Sequence, residues 1–227
     1  MHALGVSNCC SGSLGERLDA SVLRRERVRP LGRRGVSSKL VFFALFCLAT
    51  YLASTRSYAQ DSFVVSAPGL HDGGMVSPQQ LYDRGGCHGA NISPALNWQH
   101  APAGTKSFAV TVFDPDAPGR GWWHWAVANI PASIHALPAN ASASGALAAL
   151  GAIQARNDFD DEGYSGPCPP PGAVHHYDIT VYALKDAALP VVAGRPALFF
   201  EHEILDAVLA KARMRLSFQR APGAGVK

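Results

Sequence analysis

The stretch DPDAPGRGWWHWAVANIP, residues 114–131, indicates how the rest of the chain is arranged. Its first half is rich in proline and glycine, which end a strand because proline lacks a sheet N–H and glycine weakens regular structure. Its second half is aromatic and apolar, which is typical of a buried strand. Alternation along this strand predicts that Trp122, His124 and Ala126 share one face. Asp114 and His124 are then expected on neighbouring strands, close enough to share one site.

Runs rich in β-branched and aromatic residues predict further strands at residues 62–66, 95–99, 106–113 and 173–184, with a short last strand at 216–219. The run 106–113, KSFAVTVF, is apolar on both faces and is therefore expected to be a central strand. The run 173–184 alternates, so that His175 and Tyr177 lie on one face and His176 lies on the other.

The segments outside these strands complete the predicted fold. Residues 199–214 have the apolar stripe and terminal charges of an amphipathic helix. Residues 139–152 are expected to be an ordered loop or, less favoured, a short helix, because Gly145 and Gly151 bracket their only helical run. Residues 157–171, NDFDDEGYSGPCPPP, form a long predicted loop of the kind that usually carries function. The sequence therefore predicts a mainly β protein, an antiparallel β-sandwich with a C-terminal helix.

The first 59 residues are predicted to be a basic leader and a secretory signal peptide. Residues 17–39 carry eight Arg or Lys, residues 40–53 are almost wholly apolar, and Ala59 ends a small-residue cleavage signal. The apolar run of about 14 residues is short of the roughly 20 that span a bilayer, so we expect no permanent membrane span after cleavage. A retained anchor is the less favoured alternative, and Sec and twin-arginine export stay open.

The domain at residues 60–227 is accordingly expected in the periplasm or outside the cell. It keeps 11 basic and 14 acidic residues, so the net charge of +3 of the whole chain comes from the leader. Without a basic stripe the domain is not expected to bind nucleic acid. Cys87 and Cys168 are its two cysteines, which predicts one disulfide in an exported protein, with two unpaired buried thiols as the alternative.

Four side chains are expected to converge on one site: Asp114, His124, His175 and Tyr177. A carboxylate keeps a histidine protonated, and two imidazole N–H groups and a phenol then donate to a phosphate or carboxylate oxygen. Backbone N–H groups of residues 163–172 are expected to contribute in the manner of a nest. The pattern thus favours an anion-binding site, with core residues and a turn-capping aspartate as the simpler alternative.

Catalytic alternatives have weaker support. Two histidines and a carboxylate match a metal triad, but no short ligand pair is present and no metal is expected. Ser165 lies in a Gly-Tyr-Ser-Gly sequence that lacks the spacer of a nucleophile motif. An aspartate acting as general acid or base has only Asp116 as a second carboxylate nearby.

Several ordered motifs resemble the phosphatidylethanolamine-binding protein family, and more narrowly its bacterial Raf-kinase-inhibitor-like branch. They are Asn91-Ile92-Ser93-Pro94, DPDAP at residues 114–118, Trp123-His124-Trp125, and GPCPP followed by His175-His176-Tyr177, within a match over about residues 63–220. The resemblance implies two antiparallel sheets with a small anion-binding pocket at one end. It also implies no established catalytic activity in most members, and we expect neither enzyme activity nor a cofactor.

The resemblance assigns ligand binding, by position, to Asp114, His124, Pro170, His175 and Tyr177. Asp116 is expected to hold the neighbouring loop. Cys168 stands where animal members have glycine, which fits exported bacterial relatives with a disulfide.

The expected function is therefore that of an exported protein that binds a small anion or a phosphorylated headgroup. An inhibitor or interaction partner of a secreted enzyme or of a kinase-type regulator is the alternative, and a hydrolase is less favoured. A protein partner is thus also expected as a possibility beside the small ligand.

Overall fold

The computed structural model describes residues 62–222, and the predicted leader and signal peptide at residues 1–59 lie outside the described residues. The strands are β1 (Val64–Ser66), β2 (Leu96–Gln99), β3 (Ser107–Asp114), β4 (Trp122–Pro131), β5 (Ala136–Leu137), β6 (Ile153–Gln154), β7 (Val174–Leu184) and β8 (Val208–Gln219). The helices are α1 (Ala146–Ala149) and α2 (Ala197–Ala207). Within the described residues, no helix is both long and apolar enough to span a membrane.

The strands form two antiparallel sheets, one in the order β1-β2-β5 and one in the order β6-β4-β3-β7-β8. The space between the sheets holds the larger core, with Trp98, Phe108 and Trp125 each almost fully buried. The rings of Trp98 and Phe108 meet edge to face at 5.3 Å. Burying a side chain of this size contributes roughly 1.5–3 kcal/mol. This architecture confirms the predicted antiparallel β-sandwich.

The helix α2 covers the outer face of the larger sheet and creates a second core. Phe200 and Ile204 of the helix pack with Ala109, Ala126 and Ala128 of the sheet. These alanines have short side chains, so the helix lies close to the strands. As predicted, β3 is the central strand of its sheet, because Val110 belongs to the first core and Ala109 to the second.

The predicted helix at residues 199–214 is wrong over its second half. The helix ends at Ala207, and Val208–Gln219 is a strand paired with β7 over its whole length. Ala212, Met214 and Leu216 of this strand are buried while the residues between them are more exposed. This period of two is that of a strand, and pairing with β7 overrides the helical pattern of the preceding residues.

The region 139–152 also differs from the prediction of a loop. It contains the four-residue helix α1, which begins after Gly145, a residue with a φ of 82°. Glycine adopts this left-handed conformation without a steric penalty. The two-residue strands β5 and β6 lie on either side and were not predicted, because two residues are too few to show a period.

The predicted pairing of Cys87 with Cys168 is present in the structure, where their sulfur atoms are 2.06 Å apart. The two residues are separated by 81 positions in the sequence. The bond joins the segment before β2 to the loop that precedes β7. Unpaired thiols are therefore excluded as the state of these two residues in this structure.

Removal of this cross-link should destabilise the domain. Cys87→Ser, Cys168→Ser and the double variant should each lose about 2–5 kcal/mol in the free energy of unfolding, because the unfolded chain regains the freedom of a long loop. Urea denaturation under oxidising conditions measures the loss. If the double variant lost clearly more than either single variant, the cysteines would be contributing separately rather than through one bond.

Candidate functional site

A cavity of about 270 Å³ opens at one end of the larger sheet. It is bounded by the end of β3 and the loop after it, the start of β4, the loop before β7, and β7 itself. Its lining comprises Asp114, Ala117, Pro118, Trp122, His124, Phe159, Cys168, Pro169, Pro170, His175 and Tyr177. All five residues predicted to bind a ligand are in this set. The structure thus brings together side chains from positions 60 residues apart in the sequence.

The carboxylate of Asp114 is buried and accepts three hydrogen bonds. Its Oδ1 accepts the backbone N–H groups of Asp116 at 2.8 Å and Ala117 at 3.2 Å. Its Oδ2 lies 2.7 Å from Nδ1 of His175. The aspartate therefore stabilises the loop that follows it and orients His175 of β7.

The return of the chain from this loop into β4 requires Gly121. Its φ is 82°, and a Cβ atom there would clash with the ring of Phe113 and lie 2.7 Å from the carbonyl oxygen of Asp114. The tight connection inferred from the proline and glycine content is thus a close approach of two backbones.

A β-bulge lies in β4 at His124, one of the residues that line the cavity. Val112 of β3 is paired with Trp125 of β4, but the next residue, Phe113, is paired with Trp123. His124 therefore has no residue opposite it on β3, and the alternation of the strand shifts by one position. Its ring meets the ring of Tyr177 edge to face at 5.2 Å.

Because of the bulge, the prediction that Ala126 shares a face with Trp122 and His124 is wrong. Trp122 and His124 both line the cavity, but Ala126 belongs to the core beneath α2. Trp125 packs between the sheets instead. Strict alternation fails here because the extra residue at the bulge changes which face each later side chain occupies.

The side chain of His124 is held in one orientation. Its Nδ1 lies 2.7 Å from the carbonyl oxygen of Ser165, and since a carbonyl only accepts, Nδ1 carries the proton. Burial lowers the pKa of His124 below its ordinary value, although the hydrogen bond to Ser165 and the charge of Asp114 act in the opposite direction. The ring is therefore neutral near pH 7, and its Nε2 is an acceptor. For this histidine, the hydrogen bond to Ser165 and burial favour an acceptor at Nε2, where the sequence predicts a donor.

The glycines of the expected nest do not offer their N–H groups to the cavity. The N–H of Gly163 donates to Ala155, that of Gly166 to Asn91 Oδ1, and that of Gly172 to Arg220. None of these acceptors lines the cavity. The glycines shape the loop, and their N–H groups are consumed in doing so.

Two other donors at the cavity have no acceptor among the described residues. They are the hydroxyl of Tyr177 and Nε1 of Trp122, both buried. Burial raises the pKa of the Tyr177 phenol, so it keeps its proton. A buried donor without an acceptor costs about 1–3 kcal/mol, which makes these two atoms natural contacts for a ligand.

The loop at residues 157–171 contributes Phe159, which sequence reasoning did not single out. Its ring centre lies 5.3 Å from that of Trp122 and 5.5 Å from that of His124. The carboxylate of Asp158 accepts the N–H of Trp123 at 2.9 Å and attaches the loop to β4. The aromatic residue within a long polar loop was the available signal for Phe159.

The hydroxyl of Ser165 forms its hydrogen bonds with other residues of this loop. It donates to Asp161 Oδ2 at 2.8 Å and accepts from Asn157 Nδ2 at 2.9 Å. Burial opposes ionisation of Asp161, but its hydrogen bonds from Ser165 and Tyr82 and the charge of Arg84 lower its pKa. His124 bonds to the carbonyl of Ser165 and not to its hydroxyl, so no nucleophile and base pair is formed here.

Asp116 lies outside the cavity. Its Oδ2 accepts the backbone N–H of His176 at 2.8 Å and lies 2.6 Å from Nδ1 of the same residue. The side-chain hydrogen bond from His176 lowers the pKa of Asp116. This is the geometry of a residue that holds the loop against β7. Across residues 62–222, no group of three or more His, Cys, Asp or Glu is placed to hold a metal ion.

Comparison with known proteins finds one family model, described as phosphatidylethanolamine-binding protein, which matches residues 68–219. The protein YbcL of Escherichia coli K12 is 46% identical over 148 residues, which are 63% of this chain and 81% of YbcL. A Mycobacterium tuberculosis protein named as a candidate lipoprotein, LppC, is 33% identical over 168 residues, which are 74% of this chain and 77% of LppC.

Solved structures show the same similarity. The crystal structure of Escherichia coli YbcL, titled a new member of the mammalian PEBP family, superposes with a TM-score of 0.67 and 39% identity. The superposition covers 69% of this chain and 98% of that one. A PEBP homologue from Chlamydia trachomatis, CT736, gives a TM-score of 0.60 with 25% identity, over 70% of this chain and 99% of that one.

Two buried tyrosines offer a matched test of the unpaired hydroxyl. Tyr164 donates its hydroxyl to the carbonyl of Gln80 at 2.8 Å, so Tyr164→Phe should destabilise the protein by about 1–3 kcal/mol. Tyr177→Phe removes a hydroxyl without a protein acceptor and should leave the stability within about 1 kcal/mol of the parent, or raise it. Chemical denaturation measures both. An equal loss in the two variants would show that the Tyr177 hydroxyl has a structural partner.

Proposed function

The chain belongs to the phosphatidylethanolamine-binding protein family, and from that premise we propose that it binds a small anion or a phosphorylated headgroup. The proposed ligand-binding residues are Asp114, His124, Pro170, His175 and Tyr177. The observation that carries the proposal is the pair of buried donors, Tyr177 and Trp122, beside a cavity of about 270 Å³.

The three donors that surround the carboxylate of Asp114 offset part of its negative charge, which weakens its repulsion of an anion in this cavity. The carboxylate accepts two backbone N–H groups and the Nδ1–H of His175. Its role in the proposal is to fix His175, whose Nε2 is left as the ring nitrogen for a ligand. Charge-assisted contacts of this kind are stronger and shorter than neutral ones.

The remaining walls are apolar and exclude water. Phe159, Trp122 and the prolines at positions 169 and 170 surround the polar atoms. In such surroundings a hydrogen bond to an anion is stronger than in water, and the same walls accept a short alkyl group attached to the anion. The cavity volume suits a headgroup-sized molecule.

We propose a binding role and not catalysis. The hydroxyl of Ser165 is engaged by Asp161 and Asn157, and both oxygens of Asp114 accept hydrogen bonds. Neither group is therefore poised as a nucleophile or a free base.

The proposed location is outside the cytoplasm. The predicted signal peptide supports it, and so does the disulfide, since such bonds persist in oxidising compartments. The relative whose name describes a candidate lipoprotein is compatible with it.

Ligand binding can be tested with thermal shift and calorimetry. Phosphate and phosphoethanolamine should raise the melting temperature of the purified protein by mass action. His124→Ala and Tyr177→Phe should each weaken the affinity at least about tenfold, since each removes a hydrogen bond to the ligand in a dry site.

The controls for this experiment are Tyr182→Phe on the opposite face of β7 and His202→Ala on helix α2. Neither residue lines the cavity, so both variants should leave the affinity unchanged. If neither phosphorylated compound bound the parent protein, the proposal would be lost and a protein partner would become the next hypothesis.

Export can be tested by fractionation. When the full gene is expressed in a Gram-negative host, the protein should be found in the periplasm with Gln60 as its first residue, because signal peptidase cleaves after small residues. N-terminal sequencing provides the readout. An intact N-terminus in the cytoplasmic fraction would contradict export.

A further inference from the structure

We infer that His124 makes the cavity selective for anions that retain a proton, such as the monoanions of phosphate monoesters and phosphonates. Fully ionised anions, such as sulfonates and phosphodiesters, are then disfavoured. The inference rests on the proposed function, because it concerns the same cavity.

The first step is that backbone atoms determine which nitrogen of His124 is protonated. The N–H of Ser165 donates to the carbonyl of His124 at 3.0 Å, and Nδ1 of His124 lies 2.7 Å from the carbonyl of Ser165. The two residues are thus joined by a reciprocal pair of bonds, and Ser165 is fully buried. A carbonyl never donates, so Nδ1 carries a proton, and in the neutral ring Nε2 then offers a lone pair.

The second step is that the ring stays neutral in spite of the acidic groups near it. Asp114 faces it from β3 and Asp158 from the loop after β6, while His175 and Tyr177 belong to β7, which lies on the far side of β3. Each carboxylate is already engaged, Asp114 by three donors and Asp158 by the N–H of Trp123 and by Arg120. Burial prevails and lowers the pKa of His124.

The third step concerns the hydrogen-bond donors and acceptors that the cavity offers to a ligand. Tyr177 and Trp122 are donors and suit two bare oxygens of an anion, whereas Nε2 of His124 is an acceptor and suits an oxygen that bears hydrogen. A bare oxygen placed there would face a lone pair in a buried site, which is an unfavourable contact. A phosphate monoester has a second pKa of about 6, so its protonated monoanion is available near neutral pH.

The inferred selectivity distinguishes two sources of the same headgroup, a free phosphate monoester and an intact phospholipid. Free phosphoethanolamine is a monoester and supplies the proton. The headgroup of an intact phospholipid is a diester, has no acidic proton at neutral pH, and should bind less well. Of these two sources the geometry therefore points to the free monoester.

The experiment compares ligands of equal shape and charge. Methylphosphonate and methanesulfonate are both tetrahedral monoanions at about pH 6, and only the first bears a hydroxyl. By calorimetry, the purified protein should bind methylphosphonate at least about tenfold more tightly than methanesulfonate. It should also bind phosphoethanolamine more tightly than glycerophosphoethanolamine.

A variant assigns the preference to the histidine. The amide of His124→Gln can present either a donor or an acceptor, so the ratio of phosphonate to sulfonate affinity should fall toward one. The control His202→Gln, at an exposed position on helix α2, should keep the parental ratio. Long-range ¹H–¹⁵N NMR of the ligand-free parent should show His124 neutral with the proton on Nδ1. This spectrum and the comparison of ligands on the parent protein need no variant to fold.

The outcomes separate the two proposals. Equal affinity for methylphosphonate and methanesulfonate, or a proton on Nε2 of His124, would overturn the selectivity and leave anion binding intact. If none of the four compounds, nor inorganic phosphate, bound the parent protein, both the selectivity and the proposed function would be overturned.

Discussion

The buried carboxylate of Asp114 joins the three segments on which the cavity depends. It stands at the end of the central strand, accepts two N–H groups from the loop that follows, and holds His175 of the neighbouring strand at 2.7 Å. A buried carboxylate left without these donors would be strongly destabilising, so the loop, the strand end and the histidine form together or not at all. The donors that stabilise the Asp114 carboxylate thus also position this part of the cavity wall.

The polar groups of the site divide into those that serve the fold and those left for a ligand. Several donors form hydrogen bonds within the protein: Nδ1 of His124, the N–H groups of Gly163, Gly166 and Gly172, and the hydroxyl of Ser165. The hydroxyl of Tyr177 and the indole N–H of Trp122 have no acceptor among residues 62–222. The two large cores offset the cost of these unpaired donors, and the disulfide adds a constraint beside the wall formed by the prolines. Family membership alone does not establish a ligand, so the functional argument rests on these particular atoms.

Much of the fold follows from local sequence pattern. The strand β4 coincides with the aromatic second half of residues 114–131, where a strand was predicted, and β3 is central as its two apolar faces indicate. His175 and Tyr177 share the inner face of β7. The prediction failed where a contact distant in sequence competes with a local pattern. Residues 208–214 were predicted as helix but pair with β7, and the four residues of α1 depend on a glycine that was interpreted as a helix breaker.

The sequence by itself determined the sheet-forming runs, the turn that separates Asp114 from His124, the pair of cysteines and the set of side chains expected at the site. These features depend on side-chain type and on spacing along one strand. Only the tertiary structure decided the bulge at His124 that puts Trp125 between the sheets, the use of the glycine N–H groups within the protein and the proton position on the imidazole. Each of these depends on which distant carbonyl or N–H group lies within about 3 Å, and hydrogen bonds of that kind leave no periodic trace in the sequence.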